Sequence, residues 1–187
     1  MRGKVRFAIF LLPMWALLTL GSCEELLENT EEVRINIPID KKSFSVDSSE
    51  LETKNSEILL HERHVNVNVD SVMEAEGLDY LVNARLKELI LGMEELTSEG
   101  RFFLKTARIT VSPAESFSKE IKVAYKKDIN TYEEKTVKLT VENINISNVI
   151  RSHGFYLRIY GTPVKLGQSE GVKMFLKGKV ALQMDNS

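Results

Sequence analysis

The chain has 187 residues, 43% hydrophobic and 28% charged, and a chain of ~150 residues or more buries roughly two-thirds of its surface on folding, enough for a core of its own. Its formal net charge of −2 supplies no basic field to neutralise phosphates, which argues against nucleic acid as a partner, and no polybasic run marks a segment for anionic lipid. One cysteine in the whole chain rules out an internal disulfide framework and a cysteine-cluster metal site.

In chain order, Arg2, Lys4 and Arg6 form a positive start, and Phe7 to Leu20 is an apolar run broken by Pro13 and Thr19. Small residues follow, in the sequence Leu20-Gly21-Ser22-Cys23. This charge order and core length mark a secretory leader rather than a membrane span. Leu20-Gly21-Ser22-Cys23 also resembles the lipobox of bacterial lipoproteins. The resemblance implies a leader over residues 1–22, cleavage between Ser22 and Cys23, diacylation of the Cys23 thiol and acylation of the new amino terminus. It further implies a membrane partner, reached through the lipid on Cys23, and a place in the bacterial cell envelope, with the outer membrane expected. Removing the leader takes away three of the 25 cations and leaves 22 against 27 acidic residues, a net of about −5. Acylation consumes the only thiol, so no catalytic thiolate is expected.

Glu24 to Glu32 holds five acidic residues in nine and is expected, with Cys23, to form a lipidated spacer over 23–32. Acidic residues directly after the lipid-bearing cysteine resemble the export signals of some Bacteroidota lipoproteins. A single domain over 33–187 then follows, and a lipobox leading into one strand-rich domain is similar to lipoproteins of the Bacteroidota.

From Val33 the apolar period is two, which sends one strand face to a core and the other to water. Val33, Ile35, Ile37 and Ile39 alternate with polar residues, and Pro38 among them argues for an edge strand. The same alternation runs through Val65 to Val69, Phe103 to Val111, Ile121 to Tyr125, Val137 to Val141, Phe155 to Ile159 and Met174 to Leu182. Turn-rich separators stand between them. The pattern predicts a mainly β fold, an antiparallel sandwich of about 7–9 strands. Ser71-Val72-Met73-Glu74 has the letters of a capping box and predicts one short helix near 71–83. Residues 85–96 fit either a helical stripe or a buried strand.

Four motifs invite chemistry. Gly167-Gln168-Ser169-Glu170-Gly171 matches a nucleophile elbow, but a strand rather than a helix is expected after it. His61, His64 and His153 all precede Ser169, so no later histidine serves as its base. A hairpin loop is the better reading. His61 and His64, three apart on an expected strand, point to opposite faces and do not converge on a metal. Glu94-Glu95 and Glu133-Glu134 are adjacent pairs whose side chains diverge, unlike the paired carboxylates of glycan cleavage. Tyr156, Arg158 and Tyr160 share the face opposite the core side of their strand, and Tyr132 lies nearby in sequence. Aromatic residues with arginine on a sheet face are the composition of a binding surface, against the alternative that a loop covers them. Asn145-Ile146-Ser147 is a glycosylation sequon by letters that a bacterium would not ordinarily read, and Asp70-Ser71-Val72 resembles an O-glycosylation motif of exported Bacteroidota proteins.

No catalytic residue, metal or cofactor is assigned. The sequence predicts a lipid-anchored, non-catalytic binding or assembly module with an envelope protein or glycan as partner. Its rivals are a carrier of an apolar ligand between the sheets and an envelope glycan hydrolase.

Overall fold

Alternating apolar residues become the facing sides of two antiparallel sheets in the computed structural model, which describes residues 33–46, 56–94, 104–130, 135–150, 154–164 and 171–185. The elements are β1 (Val33–Val46), β2 (Ile58–Val65), α1 (Val69–Glu76), β3 (Tyr80–Met93), β4 (Leu104–Ser112), β5 (Ile121–Lys126), β6 (Thr136–Lys138), β7 (Thr140–Val141), β8 (Phe155–Pro163) and β9 (Val172–Asp185). One sheet has the order β1-β9-β3-β6 and the other β2-β8-β4-β5-β7. This is the mainly β, sandwich-like arrangement that the alternation predicts. As Pro38 suggests, β1 is an edge strand. Between β6 and β7 the chain passes from one sheet to the other at Leu139, a buried residue whose N–H donates to the Leu89 carbonyl at 2.9 Å.

The core lies between the sheets. Leu89, Leu91 and Met93 of β3 and Met174, Val180 and Met184 of β9 face Ile109 and Val111 of β4 and Phe155, Leu157 and Ile159 of β8, each with no solvent exposure. Burying a side chain of this size contributes roughly 1.5–3 kcal/mol. The described strands complete their core within a unit running from Glu31 to Ser187. Among the described residues no helix is long and apolar enough to cross a membrane.

The helix departs from the expectation over 71–83. α1 starts at Val69 and ends at Glu76, because Gly77 takes the left-handed conformation (φ 66°) and its N–H and that of Leu78 turn back to the Glu74 and Met73 carbonyls. Its cap is Asn68, whose Oδ1 accepts from the Ser71 N–H at 3.0 Å. Ser71 is therefore the third helical residue rather than the cap. Residues 80–83 belong to β3, and the open stretch from 85 is strand as far as Met93.

Bulges explain why β3 imitated a helix. Its inward residues are Leu81, Ala84, Leu86, Leu89, Leu91 and Met93, and the pairing with β9 slips between Leu81 and Asn83 and again between Leu86 and Glu88. Each slip inserts one residue and turns a spacing of two into three. Another slip, between Leu104 and Thr106, leaves Lys105 exposed and points Leu104 inward. In β5 the pairing with β4 skips Val123, so Tyr125 stands opposite Arg108 on the outer face, against the expectation that it shares the core face with Ile121.

Candidate functional site

β8 is the second strand of its sheet, and its alternation buries Phe155, Leu157 and Ile159 while turning Tyr156, Arg158 and Tyr160 outward. Register then fixes their neighbours. Tyr156 lies between His64 of β2 and Ser112 of β4, Arg158 between Glu62 and Thr110, and Tyr160 between Leu59 and Arg108.

The two ends of this row have different surroundings. The loop between β4 and β5 folds over one end, placing Phe117, which is itself buried and has φ 50°, against the Arg158 guanidinium at 3.7 Å and edge-on to Tyr156 at 6.4 Å. His64 meets Tyr156 edge-on at 4.9 Å. Thr110 and Ser112 are almost fully buried although they sit on an outer face, and each is hydrogen-bonded: Thr110 donates to Glu120, and Ser112 Oγ to the Ala114 carbonyl at 2.8 Å. Arg158 Nε donates to Glu62 Oε2 at 2.6 Å. That bond to the Glu62 carboxylate raises the Arg158 pKa, so the cation is held. Phe117 thus packs on Tyr156 and Arg158, and both side chains stay partly exposed, as Tyr160 does.

The other end of the row meets different neighbours. The Arg108 guanidinium stacks over the Tyr160 ring at 4.0 Å, and its Nη2 reaches Glu57 Oε2 at 2.6 Å. Tyr160 donates its hydroxyl to Glu120 Oε1 at 2.9 Å. Partial burial, followed by this bond to a carboxylate, raises the Tyr160 pKa and keeps the phenol protonated. Beyond Arg108 a concavity of about 510 Å³ is bordered by Thr106, Lys122, Tyr125 and Glu142, among others. Lys122 pairs with Glu142 at 2.8 Å and lies 4.9 Å from the centre of the Tyr125 ring.

Sequence reasoning found Tyr156, Arg158 and Tyr160 on one face but missed Arg108, Lys122 and Tyr125. The outward step of β4 signals Arg108, whereas the bulge at Val123 hid Tyr125 behind a simple alternation. His61 and His64 do point to opposite faces. His61 faces inward and stacks on Phe44 at 4.4 Å with the planes 5° apart. Burial, then the charge of Arg63, lowers its pKa. Among the described residues no group of three or more His, Cys, Asp or Glu side chains is placed to hold a metal ion. Asn145 Oδ1 accepts from the Ser147 N–H at 2.9 Å and the Ala84 N–H at 3.3 Å, so this sequon is built into the packing of β3. Ser22, Cys23, Glu95, Tyr132, Glu133, Glu134, His153 and Ser169 lie outside the described residues.

No protein-family model and no curated protein matches the chain. Among solved structures, it is similar to infectious bursal disease virus, Gt strain, at 14% identity and a TM-score of 0.37 over 83% of this chain and 33% of that one. It thus spans a third of that chain's length. The empty head of turnip yellow mosaic virus matches at 14% identity and a TM-score of 0.27, over 98% of this chain and 90% of the other. Desmodium yellow mottle tymovirus matches at 12% identity and a TM-score of 0.28, over 83% and 90%.

Proposed function

We propose that this chain is a lipid-anchored lipoprotein of the bacterial cell envelope, in the outer membrane, tethered through Cys23 and working as a non-catalytic binding or assembly module. The supporting observation is the Arg108 end of the β8 row. Arg108, Lys122 and Tyr125 border a concavity large enough for a side-chain cluster or a glycan unit, and Tyr160 extends the face through its stack with Arg108. Tyr156 and Arg158 continue the same face, partly exposed, with Phe117 packed against them. The alternative reading, a carrier, would need apolar room between the sheets.

The test is crosslinking in native membranes from a photoreactive residue at Tyr125, followed by identification of the captured molecule. The reading expects one envelope protein or glycan, lost when Arg108→Ala and Tyr160→Ala are combined in a chain that still folds. Unchanged capture by that folded double variant would remove this face from consideration.

A further inference from the structure

The outer face of the other sheet has a different charge pattern. In the face built by β8, β4 and β5, each named cation has its own carboxylate: Arg158 with Glu62, Arg108 with Glu57, and Lys122 with Glu142. In the sheet of β1, β9, β3 and β6 the lysines outnumber their partners. Lys138 of β6 and Lys177 of β9 flank Ile90 in one row, and Lys179 stands opposite Glu88 in the next. The bulge after Leu86 adds Lys87 beside Glu88, and together with Lys138 and Lys179 they border a concavity of about 430 Å³. Arg85 lies one row further and Lys173 at the opposite end, and all six cations are exposed. Among the described residues the carboxylates near these cations are Glu88, shared by Lys138 at 3.2 Å and Lys179 at 3.9 Å, and Glu94, taken by Lys41; Asp185 stands further along β9, where it accepts from the Tyr80 hydroxyl at 3.3 Å.

We propose that this face lies against a bilayer of anionic phospholipid and is the side of the domain turned toward its membrane. No run of basic residues announces it, because the cations come from three strands and meet only in the folded sheet. Charge complementarity suits headgroup phosphates, and lysines standing off a broad, open sheet reach a planar surface together. The choice of a membrane over another polyanion rests on the proposed lipid anchor. Cys23 is ten residues before Val33, where β1 begins, and β1 is the edge strand of this same sheet. A lipid chain and a basic face then act as two signals for one surface.

The experiment uses the processed chain from residue 23 with Cys23→Ser, which has no acyl group, in co-sedimentation with phosphatidylcholine vesicles with and without phosphatidylglycerol. Binding is expected only to the anionic vesicles, at low salt, despite the net negative charge of the protein. Lys177→Gln with Lys179→Gln should lower the vesicle-bound partition roughly thirtyfold, and Lys177→Arg with Lys179→Arg should retain it, with circular dichroism unchanged in both. Absence of any preference for anionic vesicles, or undiminished binding by the glutamine pair, would overturn the proposal. So would tighter retention on an acidic polysaccharide at the same salt. Palmitate labelling of Cys23 in the unaltered chain is read separately. Vesicle binding without a label counts against the anchor and supports the face, whereas a label without vesicle binding counts against the face alone.

Discussion

His61 shows how one side chain couples packing to pH. Stacked on Phe44 and half-buried beside Arg63, it has a folded-state pKa below its ordinary 6.5. The unfolded chain thus takes up the proton more readily. The stability this site contributes is fully present above pH 6.5 and is lost as the pH falls from there through the lower folded-state value. His61→Phe keeps the stack and removes the titration, so thermal melts between about pH 8 and 5.5 should fall less steeply with acid in that variant. Phe117 offers a second case in which two effects compete. Its left-handed backbone costs roughly 1–2 kcal/mol, whereas burying its ring against Arg158 and Tyr156 contributes roughly 1.5–3 kcal/mol. Burial wins. Phe117→Gly should therefore destabilise the domain by about 1 kcal/mol, read as a lower midpoint in urea, and a gain in stability would contradict the covering role.

At the scale of elements, close approach of β9 to β3 depends on Gly178. A Cβ there would run into the Glu88 carbonyl and come within 2.7 Å of a Leu89 methyl. Gly178→Ala should cost about 2–3 kcal/mol through overpacking, measurable by denaturant unfolding. A neutral result would show that the two strands have room to separate. The same pair of strands shows why only part of the fold was legible. Phe155 to Ile159 and Met174 to Leu182 were readable because their alternation is carried intact or nearly so into the sheet. In β3 two bulges re-phase the inward side, and a local pattern records only the resulting spacing of three, which a helix shares. The cap was displaced for a related reason: Ser71 and Asn68 are both good caps by chemistry, and tertiary packing that buries Val69 chose the earlier one. In the candidate site, Tyr156, Arg158 and Tyr160 were legible as a face. Which of them meets Phe117 depends on the loop that bears it, a contact between distant residues that no spacing encodes.

For the molecule as a whole, the two outer faces divide the labour suggested by their charges. One carries three ion pairs and aromatic rings with a concavity at its end, and the other carries excess lysine. All the buried side chains of the described core fall between Ile39 and Met184, so a chain beginning near Val33 should fold without the preceding residues and give a strand-rich circular dichroism spectrum. Such a chain should keep its partner in vitro and fail to restore function in cells, because a tether contributes local concentration rather than contacts. The tether is the central claim, and metabolic labelling tests it most directly. Cells expressing the unaltered chain and the Cys23→Ala variant are supplied with labelled palmitate, and the protein is recovered and sized. The account predicts label on the unaltered, leader-free protein and, for Cys23→Ala, neither label nor normal leader removal; lipid label persisting on Cys23→Ala, or absent from the unaltered chain, would contradict it.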